Sequence, residues 1–447
     1  MIFDKRFLNV ILLGFGFMFV FTAFQTMGNI EKTVLDSINR DDPSFTGDGY
    51  TSLAVIYAVF AVCNWVAPSI ISVSGPRVAM LIGAATYMLF IASFFIPKTW
   101  LLYVASCVIG FGAAVIWTGQ GNYLTLNSDS ETISRNSGIF WAMLQASMFF
   151  GNLFVFFKFQ GKTHIDHDTR LVVFIVLIAL AAVGVVFLLV LRPAQNADGE
   201  LAGRDDQGPL HALQRALSLF TTKQMSLLGI TFLYTGIELS FFSGVYSPSI
   251  GFTLQMGENV KQLVGLSGIF IGMGEVIGGA LFGILGQKTI RWGRDPIVMI
   301  GFVVHIVSFF LIFLNLPNTA PFGDTNMPAY ISSSQYLAML CSFMLGFGDS
   351  CYNTQIYSIL GGLFPDDSAP AFALFKFTQS VAAAASFFYS SHLGLHAQLG
   401  ILIALATLGT VSFCWVEWAA RAKRRASGHT VGEEPSFVDS ASVTKEN

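Results

Sequence analysis

Charge is scarce in this chain. Of its 447 residues only 11% are Asp, Glu, Lys or Arg, against 53% that are hydrophobic, a balance too apolar for a water-soluble domain of this length. The 24 basic and 27 acidic side chains leave a formal net charge of -3, and no basic stripe stands ready to neutralise phosphates, so nucleic acid is not an expected partner. Cysteine is sparse as well. Cys63, Cys107, Cys341, Cys351 and Cys414 all fall in apolar runs, with neither paired disulfide spacing nor a metal cluster, and read as small packing residues. No Asn-x-Ser/Thr sequon is present: in INRDD (38–42) Asp41 stands where Asn39 would need a Ser or Thr, so N-glycosylation is not expected. No Ser-His-Asp, metal-ligand or phosphate-loop constellation occurs at workable spacing, and the chain reads as a non-enzyme with no catalytic residue and no cofactor. His164, Asp166 and His167 in KTHIDHD offer metal donors, but the stretch reads as a solvated loop.

What the chain does have is apolar length. Mean hydropathy is +0.63, and 44 residues are Phe. Runs of about 18 to 25 mainly apolar residues, each enough to cross about 30 Å of hydrocarbon, recur near 7–27, 51–73, 78–96, 101–123, 137–158, 171–191, 225–247, 263–286, 296–314, 335–360, 371–391 and 394–416. The expected fold is therefore an all-α membrane protein of twelve transmembrane helices, with the lipid bilayer as its first partner. Lys5 and Arg6 before the first run imitate a signal peptide, but no small-x-small cleavage site follows, and the run reads as the first span. Lys and Arg concentrate on one side, including Lys5, Arg6, Arg77, Arg135, Lys288, Arg291, Arg294, Arg421, Lys423, Arg424 and Arg425. By the positive-inside rule this side is cytoplasmic and holds both termini.

The two halves repeat. GFGAAVIWTGQ (110–120) and GFGDSCYNTQ (346–355) open alike, and SGIFWAMLQAS (137–147) aligns with AFALFKFTQSV (371–381), matching Gln145 to Gln379. The expected layout is a six-helix half at 1–191, a cytoplasmic linker at 192–224, a second half at 225–417 and a cytoplasmic tail at 418–447. In the linker, Leu210, Leu213, Leu217 and Phe220 share one helical face with Arg215 off it, as in a short helix lying in the membrane interface. RAKRR (421–425) reads as a topology anchor, and Ser368 before Ala369 and Pro370 as the N-cap of the eleventh span.

Against this apolar background a few polar groups stand out. Glu238, Glu275, Asp349 and Lys376 sit inside spans, as does His305, and all belong to the second half. A charge at the bilayer centre costs roughly 2.5 to 3.5 kcal/mol, so such residues face a cavity or a partner. Their first-half equivalents are Ala23, Val62, Ala113 and Ala142; that half keeps neutral Gln25, Asn64, Gln120, Asn122 and Gln145 instead. One reading makes Glu238 or Asp349 a proton-coupling group in a pathway with one ionisable wall and one hydrogen-bonding wall. The other makes Asp349 and Lys376 a fixed ion pair between spans 10 and 11. Asn353, one turn beyond Asp349, shares its face. Glu275 lies among Gly268, Gly272, Gly274, Gly278, Gly279 and Gly283, where helix-helix hydrogen bonding is its expected job, and His305 has no evident partner. GMGEVIGG in this run is no nucleotide turn, because no strand precedes it.

YTSLAVIYAVF (50–60), WTGQGNYLTLNSD (117–129), RNSGIFWAMLQASMFFGN (135–152), GLSGIFIGMGEVIGGALFG (265–283) and DSAPAFALFKFTQS (367–380) resemble the UNC-93-like branch of the major facilitator superfamily. The superfamily loop signature survives only as SGPR (74–77) and QKTIRWGRDP (287–296). The resemblance implies the major facilitator fold of two pseudo-symmetric six-helix halves. It also implies that spans 1, 4, 7 and 10 line a central cavity, which puts Gln25, Gln120, Glu238 and Asp349 in reach of a solute. The superfamily consists mostly of secondary transporters, which implies alternating-access movement of a small solute of unknown identity. Other members of the branch act as regulators or trafficking partners, which implies another membrane protein as the alternative partner.

Overall fold

The structure is a computed structural model and describes residues 5–127, 133–162, 164–193, 214, 217–284, 293–364 and 368–426. Its helices are α1 Lys5–Asp41, α2 Gly49–Cys63, α3 Ala67–Ser74, α4 Pro76–Ser93, α5 Thr99–Leu126, α6 Ile133–Lys158, α7 His167–Val190, α8 Lys223–Ser240, α9 Ser247–Phe252, α10 Gln262–Ile284, α11 Asp295–Asn315, α12 Gln335–Leu363, α13 Ser368–Ser390 and α14 Leu395–Ala426. An isolated bridge between Thr253 and Thr325 is the one β feature among the described residues. Each of the twelve expected spans is helical, and two are interrupted. Pro68 has no N–H to donate and stands at the start of α3, and the second span breaks at Asn64–Val66 into α2 and α3. Before Pro248, α8 widens into a π turn at Phe241–Tyr246 and continues as α9.

Nine helical segments among the described residues are long and apolar enough to cross a membrane unaided. The helices α12 and α13, which carry Asp349 and Lys376, are not among them. The first helix runs well past the expected end at residue 27, to Asp41. Within the expected linker, Leu217 and Phe220 are helical and exposed while Leu219 is buried; Leu210, Leu213 and Arg215 lie outside the described residues, as do Lys288 and Arg291.

The repeat is written in the packing. Within the first half α1 packs on α6 and α7, α5 on α2 and α4, and α4 on α7; within the second α8 packs on α13 and α14, α12 on α10 and α11, and α11 on α14. Every pairing in one list has its counterpart in the other. The halves meet through α6 against α10 and α13 against α2, again a symmetric exchange.

The duplicated Gly-Phe-Gly motif explains part of this. A Cβ on Gly110 would strike the Ile56 carbonyl of α2, and one on Gly112 would strike Thr86 of α4. On Gly346 and Gly348 it would strike the Ile271 carbonyl of α10 and the ring of His305 on α11. The motif is the close-approach surface of spans 4 and 10. This contact register equates Ile56 with Ile271, and so Glu275 with buried Phe60 rather than with Val62, which is 68% exposed.

Candidate functional site

Five chemically active side chains converge in the second half, each from a different helix. Glu238 on α8, Glu275 on α10, His305 on α11 and Asp349 on α12 are all buried, while Lys376 on α13 is half-buried. The carboxyl groups of Glu238 and Asp349 lie within hydrogen-bonding range, and Glu275 lies in the electrostatic field of both. Asn353 Nδ2 donates to Asp349 Oδ1 at 2.6 Å, as one-turn spacing allows. Glu238 Oε1 and Glu275 Oε2 are buried without a hydrogen-bond partner.

His305 completes the cluster, although the sequence offered no partner for it. Its Nε2 lies 3.0 Å from the Leu345 carbonyl, which only accepts, so that nitrogen carries the proton. Its Nδ1, 2.5 Å from Tyr234 Oη, then accepts from the phenol. A neutral imidazole is satisfied on both sides, and Glu238 Oε1 stands 3.5 Å from Nε2, too far for a second good bond. The ring stacks on Tyr352, whose hydroxyl reaches Thr410 at 2.6 Å. Glu275 makes no side-chain bond between helices of the kind expected of it; its backbone carbonyl accepts from Ser350 Oγ at 2.7 Å instead.

The expected Asp349–Lys376 pair is not a salt bridge in this conformation. Asp349 engages Asn353 and Glu238, while Lys376 Nζ donates to Gln379 Oε1 at 3.0 Å. Gln379 Nε2 in turn approaches Thr235 Oγ1 on α8 at 3.4 Å. The lysine lies over the rings of Phe375 and Tyr357, 4.7 and 5.7 Å from their centroids, which draws its ammonium aside from Asp349.

The first half contributes neutral groups. Gln25 Oε1 accepts from Ser147 Oγ across α1 and α6. Gln120 is buried, Asn122 and Gln145 are half-buried, and Asn122 Oδ1 is enclosed without a partner. Asn29, which the sequence reading did not single out, links three helices: its Nδ2 donates to Asn152 Oδ1 at 2.7 Å and reaches Val264 O of the other half at 3.2 Å.

A second polar cluster escaped notice because α1 is longer than its apolar run. Lys32 pairs with Asp36 at 2.9 Å and with Asp48 at 2.8 Å, and Glu31 beside it is fully buried against Ser52. The i, i+4 spacing of Lys32 with Asp36 and of Asp36 with Arg40 was the available signal of continued helix. In the loop before α7, Asp166 caps that helix; hydrogen bonds from Lys162 and Thr169 hold its carboxyl well below the usual carboxylate range. His164 meets Asp41 at 2.8 Å and Lys162 pairs with Asp166 at 2.7 Å, so polar contacts organise the loop, and no metal-type cluster occurs among the described residues.

A family model described as "Ion channel regulatory protein UNC-93" matches residues 44–414. The chain belongs to the UNC-93 family. Its relatives in this family include UNC93-like protein MFSD11 of Xenopus laevis, 49% identical over 433 residues that cover 93% of this chain and 97% of that protein. UNC93-like protein 3 of Arabidopsis thaliana is 27% identical, covering 89% of this chain and 83% of that one. Protein unc-93 homolog A of Homo sapiens is 23% identical across 99% of this chain and all (100%) of the human protein. Among solved structures, a POT family transporter in complex with 5-aminolevulinic acid superposes with a TM-score of 0.65 at 14% identity, covering 94% of this chain and 98% of that one. The peptide transporter POT in complex with sulfate gives 0.67 at 13% identity, covering 93% and 95%. These likenesses establish that this UNC-93 family member has the major facilitator fold.

Proposed function

We propose that this multi-pass membrane protein moves a small solute by alternating access of its two halves and couples that movement to protons. One observation supports the reading above the others: Glu238, Glu275 and Asp349 lie in one another's electrostatic field beside a neutral His305, with Lys376 the ammonium acting on Asp349 among the described residues. Like charges repel strongly in a low-dielectric interior, so three carboxyl groups there hold and release protons as a set. A purely structural helix contact needs no such excess of acid. The neutral Gln25, Gln120, Asn122, Gln145 and Gln379 supply the hydrogen-bonding groups of the pathway, and no bond-breaking chemistry is assigned to any residue. Both termini are read as cytoplasmic from the distribution of Lys and Arg, with the halves at 1–191 and 225–417 joined by the linker at 192–224.

Full-length protein in liposomes, driven by a pH gradient and screened with small organic solutes, should show saturable uptake. That uptake should fall at least about tenfold, as for loss of an essential proton-transfer group, in Glu238→Gln or Asp349→Asn. Undiminished uptake in both variants would remove these residues from coupling. A second reading has its own support in the family description, which names ion channel regulation: the chain escorts or regulates another membrane protein. Crosslinking in native membranes, read by quantitative mass spectrometry, should then recover one partner at fixed stoichiometry.

A further inference from the structure

We infer that Lys376 is the recognition cation for the solute, and that the solute is an organic anion: an apolar or aromatic body carrying one carboxylate-type group. The inference rests on the transport reading above and names its substrate class. An ammonium has three N–H donors. The hydrogen bond that Lys376 makes goes to a neutral acceptor, Gln379 Oε1 at 3.0 Å. Ring faces flank it, with the Phe375 centroid at 4.7 Å and that of Tyr357 at 5.7 Å. Rings at this range hold a cation without neutralising it.

The acids of the cluster do not fill the vacant donors. Asp349 acts on Lys376 electrostatically, but its oxygens are taken up by Asn353 and Glu238. Exposure separates the two kinds of charge. Glu238, Glu275 and Asp349 are 1%, 4% and 6% exposed, whereas Lys376 is half-buried. Of the four side chains, that of Lys376 is the least enclosed.

The surroundings specify the rest of the ligand. Tyr357 packs edge-on against Trp141 of the other half at 5.5 Å, and Phe377, next to Lys376, packs against Trp65 of the other half at 5.2 Å. The cation therefore sits beside an aromatic seam between the halves, which suits a flat apolar body and moves when the halves separate. Asp349 and a bound anion compete for the same positive field. Neutralising Asp349 strengthens the anion site, which ties one proton to one anion in the same step.

Benzoate, neutral benzamide and cationic benzylammonium form a panel of one shape and three charges. With purified full-length protein at neutral pH, benzoate should raise the thermal midpoint saturably and the other two should not. Lys376→Met should weaken benzoate at least about tenfold, as expected for a lost charge-assisted hydrogen bond. Lys376→Arg should keep binding near wild type, and Asp349→Asn should bind benzoate as tightly or more tightly while its uptake falls. Equal responses to all three probes, no response to benzoate, or wild-type affinity in Lys376→Met would each overturn the assignment. If Lys376→Met fails to fold, the charge panel on the wild type and the Arg variant decide. Charge-selective binding without uptake in liposomes would uphold the anion site and sink the transport reading, so the two fail separately.

Discussion

Gly348 sets how closely α12 approaches α11, since a Cβ there would collide with the imidazole of His305. That imidazole is fixed on two sides, by Tyr234 and by the Leu345 carbonyl. It cannot withdraw without leaving two buried polar groups unpaired. Gly348→Ala is therefore expected to destabilise the protein by about 1 to 3 kcal/mol, the range for overpacking a full core. Adding His305→Ala should recover part of that loss, because the obstruction goes with the ring. Thermal unfolding of the two single variants and the double in detergent gives the coupling; additive losses would mean that the helices separate by another route. Asp349 is tested in the same way against Lys376. Since the two make no salt bridge in this conformation, Asp349→Asn should cost little of what breaking a buried ion pair costs, about 3 to 5 kcal/mol. A loss of that size, relieved by Lys376→Met, would show that the pair closes in another conformation.

Capping and helix breaks act at the level of the element. Asp48 is the N-cap of α2, accepting from Thr51 N at 2.8 Å, and it also receives Lys32 Nζ at 2.8 Å and Ser391 Oγ at 2.8 Å. Burial alone would raise its pKa, but Lys32, Thr51 and Ser391 outweigh burial and hold the carboxyl below its ordinary value. The sign follows from linkage: a depressed folded-state pKa adds stability that is fully present above the unfolded value, about 3.9, and disappears as pH falls through the lower folded value. Stability from this group should be flat from neutral pH down to the unfolded value and lost only in stronger acid. Asp48→Asn should lower the thermal midpoint at neutral pH and flatten that acid limb. An unchanged acid limb would assign the acid sensitivity to other carboxylates. The break between α2 and α3 has a local cause, and Pro68→Ala should allow the helix to run through Asn64–Val66, visible as a protected new amide at position 68 in hydrogen exchange.

Across the whole molecule, the end bearing the 42–48 loop is bridged between the halves by polar contacts. Arg40 meets Asp324 at 2.8 Å, Ser391 meets Asp48, and Tyr50 Oη donates to the Pro321 carbonyl at 3.0 Å. Asp324 also binds Lys261 of its own half, which anchors the acceptor side of this bridge. Exposed ion pairs contribute little, about 0 to 1 kcal/mol, so breaking the Arg40 pair should loosen this end locally and leave folding nearly unchanged. Arg40→Ala, which leaves Asp324 paired with Lys261, should speed hydrogen exchange in the last turns of α1 and around 318–326, leaving 355–363 at the opposite end unchanged. Equal acceleration at both ends would point to general loosening in place of a local link.

Much of the architecture was legible because lipid makes helical spans long and apolar, and duplication leaves repeated landmarks. Twelve spans and the pairing of residues 110–120 with 346–355 followed from apolar length and local identity, and the family from the resemblance of blocks such as 135–152 and 265–283 to known members. The last turns of α1 were missed because Glu31 and Lys32 look like a span's end when hydropathy is the guide, whereas intrahelical charge pairs and the Asp48 loop carry the helix on. The sequence by itself placed Glu238, Glu275, His305, Asp349 and Lys376 within spans. Only the tertiary structure decided that the three acids meet one another, that His305 closes the cluster, and that Lys376 turns to Gln379 and two rings. The reason is geometric: a helical sequence fixes which residues share a face, but which faces meet depends on close approach at residues such as Gly346 and Gly348, and on contacts between helices far apart in the chain.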